Sequence, residues 1–147
     1  MSLSPEQNEA WRALIMASHV LDAALESQAQ RDGGLPHAYY KVLVFLYESP
    51  ERRMTMGELA ATQRYSVSRM THAVASMERS RWLTRTVSAD DRRVRLVELT
   101  EAGIQLVRRV SPLQMREVRE PALAALSREQ VAQLTVLSRA ITEALAS

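Results

Sequence analysis

The sequence has no cysteine and few histidines or glycines, which excludes much of enzyme chemistry. The missing cysteines rule out disulfides, thiolate zinc sites and oxidant-sensing thiols. Three histidines and four glycines occur among 147 residues, and HExxH, GxSxG and glycine-rich phosphate-loop motifs are missing. We therefore predict no catalytic residues, no metal and no cofactor, and an enzyme is the weaker interpretation.

Long hydrophobic runs are missing as well. No apolar stretch approaches the roughly 20 residues of a membrane span, and residues 1–9 are too polar for a secretory signal. We expect a cytoplasmic protein without membrane contact. Since 46% of the residues are hydrophobic and 24% are charged, the chain is long and apolar enough for one packed domain.

The charge is distributed unevenly. Residues 52–95 contain ten arginines and four carboxylates, a net charge of +6, whereas the rest of the chain carries −4. A basic block within an otherwise acidic chain is typical of a nucleic-acid-binding module, and chance clustering on a solvated surface is the alternative. Arginine also matches the geometry of guanine and phosphate better than lysine does.

The segment from Ser66 to Ser80, within the basic block, has the pattern of an amphipathic helix. At 3.6 residues per turn its apolar side chains fall on one stripe, and Ser66 is a good N-cap. The stripe consists of Met70, Ala73, Val74 and Met77, and the opposite face carries Ser68, Arg69, Thr71, His72 and Ser76. Because no carboxylate occurs before Glu78, this face is suited to a DNA major groove, with an ordinary solvated face as the alternative.

Helices and strands are predicted around this segment. Ser4, Thr55 and Ser127 begin capping boxes, and Gly33 is the expected left-handed residue after a first helix that runs to about Arg31. Residues 83–87 alternate between apolar and polar, and residues 94–99 are rich in β-branched and aliphatic residues, so both segments predict strands, joined by a polar tip at 88–93. After residue 100 a further helix is expected, which Pro112 should kink or interrupt and Pro121 should end. The predicted fold is mainly α with a small β component: a winged helix-turn-helix lobe flanked by long terminal helices.

Four segments resemble the MarR (multiple antibiotic resistance regulator) family of winged-helix transcription factors. They are MTMGELA at 54–60, YSVSRMTHAVASMER at 65–79, DDRR at 90–93 and VELTEAG at 97–103. The resemblance implies one MarR-type domain over residues 1–147. Within it, residues 36–100 form the winged helix-turn-helix lobe, and residues 1–35 and 101–147 are dimerisation helices. It also implies a homodimer that binds a palindromic operator in double-stranded DNA, with repression or activation left open.

The resemblance further implies which residues contact DNA. On the recognition helix these are Ser66, Ser68, Arg69, Thr71 and His72, and on the wing they are Asp91 and Arg93, where the aspartate holds an arginine for the minor groove. Arg92, beside Arg93, is added as a DNA-binding residue because both arginines would gain from the more negative potential of a narrow, AT-rich minor groove. The family usually has glycine where this chain has Arg81. Because a non-glycine residue in a left-handed cap is strained by about 1 kcal/mol, the helix end is expected to be shaped differently.

Family members often release DNA when a small aromatic or lipophilic molecule binds between the dimer layer and the lobe. The resemblance points to five residues near such a cavity, each equally suited to an ordinary core: Trp11, His19, Tyr39, Tyr40 and Met115. A winged helix that binds protein instead of DNA is the main alternative function. It predicts an apolar patch, without arginines, on the outer helix face and wing tip.

Overall fold

The computed structural model describes residues 2–146, which form a mainly helical chain with one small sheet. The helices are α1 (Pro5–Gly33), α2 (His37–Glu48), α3 (Met56–Thr62), α4 (Val67–Arg79), α5 (Glu101–Gln114), α6 (Glu120–Ala124) and α7 (Arg128–Leu145). The strands are β1 (Arg53–Thr55), β2 (Leu83–Val87) and β3 (Arg95–Leu99). A 3₁₀ turn, Pro50–Arg52, precedes β1, and a π-helical turn, Met115–Arg119, joins α5 to α6. The predicted winged helix-turn-helix fold with long terminal helices is confirmed.

Local capping chemistry starts the helices where the sequence predicts. Ser4, Thr55 and Ser127 each accept a hydrogen bond from the backbone N–H three residues later. The residue at that third position, Gln or Glu, in turn accepts from the backbone N–H of the cap. Each box therefore satisfies two backbone donors that the first turn leaves free.

The sheet is antiparallel with strand order β1-β3-β2. Leu83 lies opposite Leu99, and Val87 lies opposite Arg95, so β2 and β3 form the predicted hairpin. The sequence did not predict β1, whose Arg53 lies opposite Glu98. Three residues are too few to show an alternating pattern. They form a strand because they pair with β3.

The hydrophobic core lies between α2, α3, α4, α5 and the sheet. All four residues of the predicted α4 stripe are buried, together with Leu43 and Leu46 of α2 and Val97 of β3. Because the stripe faces this core, the opposite side of α4 faces solvent. The core thus determines which side chains of α4 are presented outward.

Two helix ends differ from the prediction. Gly34, at φ 69, takes the left-handed conformation, whereas Gly33 stays in α1, where a Cβ would lie 2.5 Å from Leu35 Cδ2. Pro121 does not end the helix, and Pro112 does not interrupt α5. The π-helical turn ends at Arg119 and α6 begins at Glu120, so the missing N–H of Pro121 falls in the first turn of α6, where no helical donor is required.

The end of α4 keeps a left-handed residue although it is not glycine. Arg81 has φ 63, its N–H donates to Glu78 O at 2.9 Å, and its carbonyl accepts from Thr100 Oγ1 at 2.7 Å. The expectation of a differently shaped end is therefore wrong. The hydrogen bonds at both sides of Arg81 hold the turn in the conformation that glycine would favour.

Gly103 permits a close backbone approach. A Cβ at this position would lie 2.2 Å from the carbonyl oxygen of Trp82, far inside van der Waals contact. The glycine therefore lets the start of α5 rest directly on the chain that leaves α4.

The terminal helices are mostly exposed. In α1 the buried residues are Gln28 and Ala29, and within the described chain α7 buries none. Large apolar side chains nevertheless lie on both helices, including Trp11 at 55% exposure and Leu137 at 61%. None of the helices in residues 2–146 is long and apolar enough to cross a membrane.

Candidate nucleic-acid interface

The N-terminus of α4 is an ordered, electropositive helix end. Ser66 Oγ accepts from the backbone N–H of Arg69 at 3.1 Å, and the first turn contains no acidic residue. The partial positive charge of the helix dipole is therefore not offset by a side chain of this turn. Since Ser66 Oγ accepts in the cap, its own O–H is free to donate outward.

The five predicted residues of α4 lie at its solvent side. Ser66, Ser68, Arg69 and His72 are exposed, whereas Thr71 is half-buried. Thr71 Oγ1 donates to the carbonyl of Val67 at 2.8 Å. Because its single hydroxyl proton is used inside the helix, Thr71 presents a methyl group and oxygen lone pairs but no donor.

Arg69 is held by the residue that precedes the helix. Its guanidinium carbon lies 3.8 Å from the centroid of the Tyr65 ring, a cation–π distance. Both residues border a cleft of about 560 Å³ beside α4, which Tyr39 and His72 also line. Their spacing of four residues is visible in the sequence, but spacing alone does not predict the contact.

The acidic residue of α4, Glu78, is bound to the wing. Glu78 Oε2 accepts from the backbone N–H of Arg85 at 3.0 Å, and Oε1 accepts from the guanidinium at 2.9 Å. The Arg85 side chain holds the pKa of Glu78 below its ordinary value of 4.5. The carboxylate on the candidate DNA-facing helix is thus ionised and neutralised locally.

The wing is a hairpin with an ordered tip and an outstretched arginine. Ser88 N–H donates to Val94 O, and Val94 N–H donates to Asp91 O, each at 3.0 Å. Asp91 Oδ1 accepts from the backbone N–H of Arg93 at 3.0 Å and lies 3.8 Å from its Nε. The aspartate therefore fixes the backbone of Arg93, whose side chain is 95% exposed.

A cleft of about 460 Å³ lies between the start of α3, the start of α4 and the wing. Arg85, Arg93 and Arg95 line it, together with Thr71 and Val67. Sequence reasoning missed Arg85 and Arg95, although the alternation along the two strands places these arginines on a common face. Arg95 Nη1 also donates to the carbonyl of Arg92 at 3.0 Å, which links strand and tip.

The five residues predicted for an effector lie in different places. Trp11 lines a groove of about 570 Å³ between α1 and α7, whereas Tyr39 lines the cleft beside α4. His19 is exposed on α1, and Met115, in the π-helical turn, is 37% exposed. Tyr40 is 2% exposed, and burial raises the pKa of its hydroxyl.

Comparison with known proteins gives consistent matches. A family model described as MarR family matches residues 33–94. The crystal structure of Sco3205, a MarR family transcriptional regulator from Streptomyces coelicolor, in complex with DNA, is 37% identical and has a TM-score of 0.95. That match covers 100% of this chain and 92% of Sco3205. The crystal structure of AbsC, a MarR family transcriptional regulator from the same organism, is 32% identical over 99% of this chain and 98% of AbsC, with a TM-score of 0.94.

A curated relative matches over a shorter stretch. The HTH-type transcriptional regulator PrsX from Escherichia coli is 24% identical over 87 residues, or 59% of this chain. These residues are 52% of PrsX, so the match spans about half the length of that protein.

Proposed function

Because this chain belongs to the MarR family, we propose that it is a sequence-specific DNA-binding transcriptional regulator. The observation that carries the proposal is the exposed polar face of α4 beside a wing that ends in exposed arginines, with the Glu78 charge neutralised by Arg85. The likeness to Sco3205, a relative in complex with DNA, supports it.

In this proposal α4 lies in the major groove. Arg69 donates two hydrogen bonds to O6 and N7 of a guanine, a pairing that discriminates between bases by roughly 1 to 3 kcal/mol. The Ser66 and Ser68 hydroxyls donate to phosphate oxygens, and His72 donates to a phosphate or a base. Thr71, whose proton is bound to Val67 O, contributes its methyl group, which fits beside the methyl of a thymine.

The wing supplies the minor-groove contacts. Arg92 and Arg93 enter the groove, where a narrow, AT-rich stretch has a more negative potential. Asp91 holds the Arg93 backbone and leaves its guanidinium in solvent. We add Arg95, which is exposed and joined to the tip through Arg92 O, as a further phosphate-binding residue.

We also propose that two copies form a homodimer that represses transcription from a palindromic operator. Exposed apolar side chains on α1 and α7, including Trp11, Leu137 and Ile141, flank a groove and support burial against a second copy. Residues 36–100 are then the DNA-binding lobe, and residues 1–35 and 101–147 are the dimerisation helices. A dimer would present two α4 helices to half-sites about 34 to 36 Å apart.

A small aromatic or lipophilic effector is proposed to release the DNA. Trp11, His19, Tyr39, Tyr40 and Met115 stay its candidate contacts, and a site at Tyr40 requires an opening because that ring is buried. The effector must bind the released conformation more tightly than the DNA-competent one. Shifting the ratio of released to DNA-competent protein from 1:99 to 99:1 takes about 5.5 kcal/mol of differential affinity.

A fluorescence anisotropy titration against DNA from upstream of the protein's own gene tests the proposal. We expect saturable binding that weakens as salt rises, and tighter binding to one palindrome than to scrambled DNA. Binding that does not discriminate between the two duplexes would contradict sequence-specific regulation. A protein-binding winged helix would give no salt-dependent DNA binding at all.

A further inference from the structure

Tyr65 and Arg69 form a pair at the outer edge of the lobe. The guanidinium carbon lies 3.8 Å from the ring centroid, while Arg69 itself is an exposed residue of the DNA-facing side of α4. A free arginine side chain loses much rotamer freedom when it binds a base. A side chain already resting on an aromatic ring loses less, which favours its bound conformation.

The ring is a fixed platform. Tyr65 N–H donates to the carbonyl of Ala60 at 3.0 Å, and the preceding Arg64 takes the left-handed conformation, with φ 53. Tyr65 is half-buried and packs against the hydrophobic core of the lobe. The turn between α3 and α4 therefore sets the position of the ring before any ligand binds.

The stack leaves the hydrogen-bonding edge of Arg69 available. A cation–π contact uses the flat face of the guanidinium, whereas its five N–H donors point outward in its plane. At the backbone, Ser66 Oγ accepts from the N–H of Arg69 at 3.1 Å. Both ends of the side chain are thus restrained, and its donors stay free to pair with a base edge.

We infer that Tyr65 is a specificity-determining positioning residue, which orients the Arg69 guanidinium for bidentate recognition of one guanine. The inference deepens the proposed function and rests on it. Tyr65 acts through Arg69 and makes no base contact of its own. Loss of the ring should therefore lower discrimination at a single base pair.

The experiment identifies that base pair first and then removes the ring. Anisotropy titrations of wild type and Arg69→Ala against single-base-pair variants of the operator identify the position at which a base change no longer affects the affinity of Arg69→Ala. At that position we expect Tyr65→Leu to reduce discrimination about two- to fivefold per half-site, and Tyr65→Phe to retain it. In the Arg69→Ala background, Tyr65→Leu should cause no further loss of discrimination.

Tyr47 provides a matched control, because Arg52 lies over its ring at the same 3.8 Å and Tyr47 also packs against the core. Tyr47→Leu should leave discrimination at the Arg69 base pair unchanged. Equal losses in Tyr65→Leu and Tyr47→Leu, or unchanged discrimination in Tyr65→Leu, would overturn the inference while leaving the proposed function intact. Failure of the wild-type protein to discriminate between operator and scrambled DNA would overturn both.

A measurement on the wild-type protein covers the case in which Tyr65→Leu does not fold. The NMR signal of Arg69 Nε–Hε, assigned by its loss in Arg69→Ala, should be shifted upfield by the ring current in the DNA-free protein. It should stay upfield in the operator complex. An unshifted signal in the free protein, or a shift that disappears on binding, would show that the stack does not position the guanidinium for the base.

Discussion

Glu78 of α4 and Arg85 of β2 join the candidate recognition helix to the wing. The carboxylate accepts from the backbone N–H of Arg85 at 3.0 Å and from its guanidinium at 2.9 and 3.3 Å. Both side chains are 35% exposed, so the pair contributes modestly to stability, at most about 1 kcal/mol. Its larger effect is geometric, because it restricts movement of the wing relative to α4.

Glu78→Gln should therefore change selectivity more than stability. Removing the charge leaves Arg85 free to attract phosphate, which raises non-specific affinity, while the looser wing weakens the specific complex. We expect the ratio of operator to scrambled-DNA affinity to fall by about three- to tenfold, measured by competition titration. Glu98→Gln removes an exposed carboxylate of β3 and is the control for the charge change. An equal fall in that variant would contradict the geometric role of Glu78.

The same ion pair gives a pH dependence. Because the folded-state pKa of Glu78 is lowered, its stabilising contribution is fully present above the unfolded pKa of about 4.5 and is lost as pH falls through the folded value. Urea unfolding should show wild type more stable than Glu78→Gln at pH 7, by less than about 1 kcal/mol. The difference should disappear as pH is lowered below 4.5. A difference that grows with acidification would be inconsistent with this assignment.

Arg93→Ala tests the wing tip. The Arg93 side chain is 95% exposed, so its removal should leave the thermal unfolding midpoint nearly unchanged. DNA affinity should fall for operator and scrambled DNA alike, and the slope of log K against log salt should decrease in magnitude by about one per wing. Anisotropy titrations at four salt concentrations measure this, and an unaltered slope would contradict a contact between the Arg93 guanidinium and DNA.

Arg81→Gly tests the strained end of α4. Arg81 has φ 63, and a non-glycine residue there costs about 1 kcal/mol, partly offset by the greater unfolded-state freedom of glycine. We expect a gain of up to about 0.5 kcal/mol in the free energy of unfolding, measured in urea. Arg79→Gly, within the last turn of α4, should instead lose about 1 kcal/mol. Destabilisation of similar size in both variants would show that no strain is relieved.

Leu137→Asp tests the proposed dimer. Leu137 is 61% exposed on α7 and lines the apolar groove that Trp11 also borders. A carboxylate there would be desolvated against a second copy, so analytical ultracentrifugation should show monomers at concentrations where wild type is dimeric. The helical content seen by circular dichroism should not change. An unaltered sedimentation coefficient would locate the contact between copies elsewhere.

Local chemistry explains which parts of the fold were predictable from the sequence. The helix starts at Ser66 and Thr55 depend on residues three positions away, and the α4 stripe depends on helical periodicity. Both can therefore be predicted from short segments of the sequence. Strand β1 depends on pairing with β3, more than 40 residues later. The helix continued beyond Pro121 because the preceding turn widened, a backbone change that composition does not reveal.

The candidate site was predictable to a similar extent. Helical phase places Arg69 and His72 on the outer side of α4, and the hairpin tip places Arg93 in solvent. The neutralisation of Glu78 by Arg85 depends on how β2 packs beside α4, which only the folded chain determines. The stack of Arg69 on Tyr65 was only partly predictable. The four-residue spacing is visible in the sequence, but the position of the ring depends on the turn at Arg64.

The contact between Gly103 and Trp82 O limits how the lobe and the long helices can shift against each other. Where two main chains touch without a side chain between them, no rotamer change can absorb a displacement. The beginning of α5 must therefore move together with the winged helix-turn-helix lobe as one rigid body. In the proposed dimer, any change in the distance between the two lobes has to be accommodated farther along the chain. The wide turn at residues 115–119 is an irregular stretch of helix where that bending would cost little.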